Sequence, residues 1–413
     1  MHVPFTLRLQ HLVRWALLAA LTGLGSCGGY DHCGDCFPSV PPSEVTLGLV
    51  AGNFANNALP SIVATGTVLY PQPVNAGNLK VYLSTAAGTY AAPTIAAAGN
   101  DPLFLASADL NGDHLPDVVA ASYADQALYV FFNSTQSPGT FSTPLMLFSP
   151  GASQVAVGDL NGDGMLDLVS ADFGVSLFVQ TSPGAFATPI TLYPGGANWV
   201  AVGDLNGDGS PDVALTDAVG VKVLMHSGAA SATTFAAPVS VFTQTANAHV
   251  QGANIIAIAD VNGDGFNDLV ITDPGPTGGA APTVNVLLQD ATHPGQFLAP
   301  VGYPVAQDSL AQSIIVADVN GDGFPDIIIG GTGAVTVLLN AGSGGAFMAA
   351  TNYAVPNANE IAIADVNGDG HPDILVGTGP TQALMNGISP NAPGVLLQSA
   401  SSPGTFGMLQ SLP

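Results

Sequence analysis

From residue 45 onward, short apolar runs alternate with turn-forming residues, and the runs return in fours. One run leads into a polar loop, as in Val200-Ala-Val-Gly or Ile314-Ile-Val-Ala, and another leaves it, as in Asp326-Ile-Ile-Ile. A third follows, such as Leu128-Tyr-Val-Phe-Phe, Val284-Asn-Val-Leu-Leu or Val335-Thr-Val-Leu-Leu. A fourth is expected to open on an aromatic after a turn: Tyr90, Phe141, Phe186, Phe235, Phe297, Phe347 and Phe406. Runs of this length bounded by Gly, Pro, Asn and Ser read as β-strands rather than helices.

The loops between the first and second runs share one pattern. Six of them carry Asp, Asn, Asp and Asp at positions 1, 3, 5 and 9. They are Asp109, Asn111, Asp113 and Asp117; Asp159, Asn161, Asp163 and Asp167; Asp204, Asn206, Asp208 and Asp212. The other three are Asp260, Asn262, Asp264 and Asp268; Asp318, Asn320, Asp322 and Asp326; Asp365, Asn367, Asp369 and Asp373. Their first aspartates are 50, 45, 56, 58 and 47 residues apart. Upstream, Asn53 to Ser61 aligns with the same frame, 56 residues before Asp109, with every carboxylate gone. Four strands per unit at a period near 50 residues is the signature of a β-propeller blade. The fold class expected is all-β, a seven-bladed β-propeller of four-stranded blades over residues 45–413.

The donor types in the loops suit calcium. A hard divalent cation takes six to eight oxygens. Positions 1, 3, 5 and 9 supply side-chain oxygens, and the backbone carbonyl of position 7 adds one, from Leu115, Met165, Ser210, Phe266, Phe324 or His371. Gly at positions 4 and 6 allows the sharp turn that aims the oxygens at one point. Asp-Asn-Gly clusters also make plain turns, but that does not account for three carboxylates recurring in each nine-residue loop. Eighteen of the 29 acidic residues occupy these positions. Five to six Ca2+ sites are expected, none in the first unit. The second unit's site should be weaker, because His114 replaces Gly where a positive φ is needed.

These repeats resemble FG-GAP/VCBS repeats, the blades of integrin α-subunit propellers and of many bacterial surface proteins. The resemblance implies calcium in the loops between first and second strands, on one face of the disc, with ligands meeting the opposite face. Nothing resembling an integrin's further domains is present.

The amino terminus adds a destination. Arg8 and Arg14 precede an apolar run, Trp15 to Leu24, which ends in Leu24-Gly25-Ser26-Cys27. This reads as an export signal over residues 1–26, and Leu-Gly-Ser-Cys resembles the lipobox of bacterial lipoproteins, with Cys27 the lipidated residue. An ordinary signal peptide with a chance cysteine is the alternative. Gly28 after the cysteine favours the outer membrane or cell surface, with the lipid anchor as the sole membrane contact. Residues 27–44, rich in proline, read as a tether. Cys33 and Cys36 within it fit a local disulfide, half of a zinc site or a redox pair, the disulfide being the simplest in an exported chain.

Charge narrows the partners. The whole chain carries −25, and cleavage at Cys27 leaves Lys80 and Lys222 against 29 acidic residues, with no arginine. Nucleic acid is excluded as a partner for want of a basic surface. The expected function is a calcium-binding, surface-exposed scaffold for ligand binding or adhesion, meeting a protein or glycan on the face opposite the calcium loops. The alternative is a carbohydrate-active enzyme, a lyase or glycosidase, with Asp172, Asp217 and Glu360 on that face. No catalytic motif supports it: Gly-x-Ser-x-Gly and HExxH are absent. Two further features bear on the binding face. Trp199 would either stack on a sugar or pack internally. Ser153, Asn198, Asn254, Gln312 and Asn359, each six residues before a loop aspartate, would form a polar ring or be plain turn residues.

Overall fold

The computed structural model describes residues 43–57, 59–70, 76–228, 234–243, 255–275, 282–305, 311–342, 344–355, 357–378 and 393–411. The export signal, Cys27, Cys33, Cys36 and Asn254 lie outside them. Every regular element among the described residues is a β-strand. Seven four-stranded antiparallel sheets follow one another along the chain, each with its strands side by side in sequence order. They begin at Ser43, Pro102, Gln154, Trp199, Ile256, Ala311 and Ala358, and are blades 1 to 7.

The first strand of each blade packs beside the first strand of the next, and that of blade 7 packs beside that of blade 1, so the ring closes. Blade 1 is built wholly from the amino-terminal end and blade 7 from the carboxy-terminal end, with no strand shared between them. A core of Leu49, Ile62 and Tyr82 from blade 1 with Val366, Leu375 and Val395 from blade 7 seals the junction. The Asn359 side-chain amide adds a bond to the Thr46 carbonyl at 3.2 Å, and the Gly88 N–H one to the Val366 carbonyl at 2.7 Å.

Position within the blade explains the sequence of each strand. Second strands, such as Asp117–Ser122 and Asp326–Gly331, are buried at every residue. Neighbouring blades cover both of their faces, so they read as unbroken apolar runs rather than alternating ones. First strands end in small residues because blades converge towards the axis. A Cβ added to Gly158 would lie 2.7 Å from Val202, and one added to Gly203 would lie 2.9 Å from Ile258. Outer strands are exposed, as in Leu145–Phe148 of blade 2.

The aromatic series corrects one expectation. Fourth strands do not open on those residues; they start further on, at Thr94, Leu145, Ile190, Val239, Val301, Thr351 and Gln410. The aromatics instead pair, in a short antiparallel turn before the fourth strand, with a residue just past the third. The pairs are Ser84 with Tyr90, Asn133 with Phe141, Gln180 with Phe186, His226 with Phe235, Gln289 with Phe297, Asn340 with Phe347 and Gln398 with Phe406. This turn lies on the same face as the loops between first and second strands.

Candidate metal-binding loops

The sequence spacing places all six acidic loops alike. Position 1 follows the end of the first strand, and position 9 opens the second strand. The apolar residue at position 2 (Leu110, Leu160, Leu205, Val261, Val319 or Val366) is buried in the blade and anchors the turn. Positions 4 and 6 have positive φ. Gly323 at position 6 of blade 6 has φ +89°, whereas His114 occupies the same region at φ +69° without glycine's freedom.

Hydrogen bonds inside the loop repeat from blade to blade. In blade 6, Asp318 Oδ1 accepts from the Gly321 N–H at 2.7 Å and Oδ2 from the Gly323 N–H at 2.8 Å. Asn320 Oδ1 accepts from the Asp322 N–H, and Asp322 Oδ1 from the Phe324 N–H, both at 2.9 Å. Position 9 acts differently. Asp326 is fully buried, and its two oxygens accept from the Val319 N–H at 3.0 Å and the Asn340 N–H at 2.7 Å. It therefore ties the loop, the second strand and the end of the third strand together. Asp117, Asp167, Asp212, Asp268 and Asp373 do the same in their blades.

Burial governs the electrostatics of position 9, with the neighbouring acids adding to it. Burial pushes the pKa of Asp117, Asp167, Asp212, Asp268 and Asp326 up to about 6 each. The two N–H donors pull the other way, and the negative charges at positions 5 and 1 push it up again. Asp373 is raised for the same reasons.

The donors fit a hard cation by type: three carboxylates, one amide oxygen and a carbonyl, with no nitrogen or sulfur. As they stand, positions 1, 3 and 5 turn onto the loop's own N–H groups. Among the described residues, no three acidic, imidazole or thiol groups are drawn together tightly enough to hold a metal. In blade 6, Asp318 Oδ2 and both oxygens of Asp326 keep a lone pair beyond the one N–H each accepts, whereas Asp318 Oδ1 accepts from both Gly321 and Asp322. The position 5 acids Asp163, Asp208, Asp264, Asp322 and Asp369 are exposed, each with Oδ1 accepting from the position 7 N–H, while Asp113 is half-buried.

A second set of residues, missed by the sequence reading, joins five of the loops to the one before it. The Asn133 side-chain amide donates to the Phe54 carbonyl of blade 1 at 2.9 Å and to its own loop's Pro116 carbonyl at 3.2 Å. Gln180 bridges Leu110 and Leu166 at 2.9 and 3.1 Å, Asn340 bridges Val261 and Pro325 at 2.8 and 3.0 Å, and Gln398 bridges Val319 and Pro372 at 2.6 and 2.7 Å. Gln289 reaches the Leu205 carbonyl. These clasps are the residues that pair with the aromatics. Blade 4 has His226 there, with a buried Nε2 that has no partner among the described residues. The available signal was a polar residue closing an otherwise apolar third run, as in Leu339-Asn340 or Leu397-Gln398.

On the opposite face, Trp199 packs rather than projects. It is half-buried, with its ring edge-on to Phe104 at 5.3 Å and 79°. Asn359 is a structural contact between blades 7 and 1, and Ser153 and Asn198 bond through their N–H groups to second-strand carbonyls. Gln312 is half-buried in the first strand of blade 6. Of the acids in the enzymatic alternative, Asp172 accepts from Ser176, Gly174 and Ser149, and Asp217 is bound by Lys222 and Tyr193. Glu360 is buried in the first strand of blade 7.

Comparison with known proteins agrees with this geometry. The ring of repeated acidic loops defines a repeat propeller, and the chain belongs to the FG-GAP-like repeat family. That family's profile matches residues 109–170, 159–215, 260–329 and 318–376, more than half of the chain. Among solved structures, the V. cholerae biofilm matrix protein Bap1 is 12% identical, with a TM-score of 0.42, over 82% of this chain and 85% of that one. BBS1N, solved in complex with ARL6DN, is also 12% identical, with a TM-score of 0.49, over 80% of this chain and 89% of that one. No curated protein matches the chain.

Proposed function

We propose that this chain is a calcium-braced propeller, exported and lipid-anchored through Cys27. It acts as a ligand-binding or adhesion scaffold at the outer membrane or cell surface. The face opposite the acidic loops meets the ligand, a protein or a glycan. The anchor is read by fatty-acid labelling, which Cys27→Ala should abolish.

One observation carries the calcium part. The first blade makes the same turn with neutral groups. Asn53 Oδ1 accepts from the Asn57 N–H at 2.7 Å, Asn57 Oδ1 from the Leu59 N–H at 3.2 Å, and Ser61 Oγ from the Ser84 N–H at 3.1 Å. The turn does not require carboxylates, so eighteen of them in the other six loops serve something beyond the turn. A divalent cation bound to oxygen is the partner that three carboxylates within one nine-residue loop select.

Thermal melting with calcium and with EGTA tests this. Extracellular calcium modules bind at about 10⁻⁴ to 10⁻³ M. At ~1 mM calcium each site then adds on the order of 0.4 to 1.4 kcal/mol. Over six sites the sum is roughly 2 to 8 kcal/mol, comparable with the net stability of a typical domain. A large fall in Tm on chelation is expected. Superimposed curves would overturn the calcium reading.

A further inference from the structure

Neighbouring blades do not cover the acidic loops equally. The contrast shows at the glycine of position 4, which has positive φ in every acidic loop and whose N–H holds the position 1 acid. In blade 4 the Gly207 N–H donates to Asp204 Oδ1 at 2.6 Å, and in blade 5 the Gly263 N–H donates to Asp260 Oδ1 at 2.7 Å. Each of these two glycines lies under the phenylalanine at position 7 of the next loop. A Cβ placed on Gly207 would meet Phe266 Cε1 at 2.7 Å, and one placed on Gly263 would meet Phe324 Cε1 at 3.5 Å. The Asn267 side-chain amide adds a bond from the blade 5 loop to the Asp204 carbonyl at 2.9 Å.

The other acidic loops lack this cover from an acidic neighbour. A Cβ on Gly112, Gly162 or Gly321 would meet nothing within 4 Å, and the next loop offers Met165, Ser210 or His371 at position 7 instead of phenylalanine. Gly368 of blade 7 has Leu59 at 3.5 Å from its added Cβ, but Leu59 belongs to the neutral loop of blade 1. A second contact recurs at several junctions and does not separate them. The turns at Gly184, Gly295, Gly345 and Gly404 approach the position 3 residues Asn111, Asn206, Asn262 and Asn320 of the preceding loops. Those turns lie outside the nine-residue frame, so filling of their own blade's loop does not act on them directly.

We propose that Phe266 and Phe324 couple the calcium loops of blades 4, 5 and 6, so that these three fill cooperatively while those of blades 2, 3 and 7 fill independently. The inference rests on the calcium reading above and adds a regulation of the same loops. Position 7 is where a loop both offers a donor to its own site, through the backbone carbonyl, and touches its neighbour, through the side chain. Ordering of the Phe324 backbone on calcium binding also fixes the ring over Gly263. The blade 5 loop then loses less freedom when it closes in turn. Phe266 passes the effect to blade 4 in the same way, with Asn267 as a second tie. Linkage makes the coupling reciprocal, so filling the blade 5 loop tightens that of blade 6 by the same factor.

The test is a calcium titration of the full chain, labelled with 15N at glycine and followed by NMR at Gly164, Gly209, Gly265 and Gly323. These are the position 6 amides of blades 3 to 6. Asp318→Asn together with Asp322→Asn gives the blade 6 loop the asparagines that blade 1 uses at the same positions. The pair empties that loop while keeping an Oδ1 acceptor at each place. The calcium needed to half-saturate Gly265 should then rise about fivefold, with that of Gly164 unchanged. Added to Phe324→Ala, the same pair should leave Gly265 where Phe324→Ala alone puts it. Lost negative charge by itself would weaken blade 5 with or without the ring. A rise that persists without Phe324 would therefore overturn the proposal, as would no rise at all. If no glycine responds to calcium, the calcium reading fails and takes the coupling with it; if all respond independently, the coupling alone fails.

Discussion

In blade 1, Asn53, Asn57 and Ser61 stand where Asp318, Asp322 and Asp326 stand in blade 6. The Asn56 backbone at φ +52° stands where Gly321 has φ +77°. Three bonds of the turn correspond: position 5 N–H to position 1, position 7 N–H to position 5, and the end of the third strand to position 9. The bonds from the Gly321 and Gly323 N–H groups to Asp318 and from the Asp322 N–H to Asn320 have no counterpart among the described residues of blade 1. Ser61 has one oxygen where Asp326 has two, and the Phe54 N–H goes to the Gly52 carbonyl at 2.9 Å instead. The two loops show that the turn and its charge are separable. Asparagine and serine suffice for the bonds the two loops share, and the acids add three negative charges that those bonds do not need.

Position 9 should show the largest difference between the two kinds of loop. Asp326→Ala strands two buried N–H groups at about 1 to 3 kcal/mol each and removes a proposed calcium ligand. A loss of roughly 2 to 6 kcal/mol is expected from the N–H groups alone. Ser61→Ala strands one N–H and should cost about 1 to 3 kcal/mol. Chemical denaturation with calcium and with EGTA checks both. Chelation should narrow the gap between the two variants, and an equal gap in both buffers would leave Asp326 with a purely structural role.

The clasp gives a smaller, two-sided comparison. Gln398→Ala removes side-chain bonds to the Val319 and Pro372 carbonyls and should cost about 1 to 3 kcal/mol. Blade 4 offers the reverse change. Since the His226 Nε2 is buried without a partner among the described residues, His226→Gln should stabilise the protein by about 1 kcal/mol, by restoring the amide used in blades 3, 5 and 7. Denaturation midpoints read both, and a destabilised His226→Gln would show that the imidazole is the better fit at that junction.

The smallest effect is expected at His114. Its side chain is exposed, so its substitution by glycine removes little packing and relieves a positive φ. A gain of up to about 1 kcal/mol is expected, offset in part by glycine's freedom in the unfolded chain. Tighter calcium binding by that one loop should accompany it. An unchanged affinity would mean that the backbone at position 6 does not limit the site.

Much of this was legible in the chain because it is local. The nine-residue frame from Asp318 to Asp326 marks where a first strand ends and a second begins, and six acidic copies with the neutral frame from Asn53 to Ser61 give the seven blades. Position 2 faces inward in all seven units, as its apolar character implies. Three things were not legible. The aromatics from Tyr90 to Phe406 signal a turn as strongly as a strand, and the ladder partners that decide between them lie just past the third run. Asn133 to Phe54 and Gln398 to Val319 are bonds between blades, each spanning 79 residues. No local pattern encodes such a span. The double use of Asp326 was hidden for the same reason, because its second donor, Asn340, belongs to another strand.

Counting calcium by isothermal calorimetry tests the separation of turn from charge most directly. Six acidic loops, one of them strained at His114, predict saturation near five to six equivalents, with nothing contributed by the neutral loop of blade 1. A stoichiometry of one or two, or no heat at all, would contradict it and leave most of the acidic loops as turns alone.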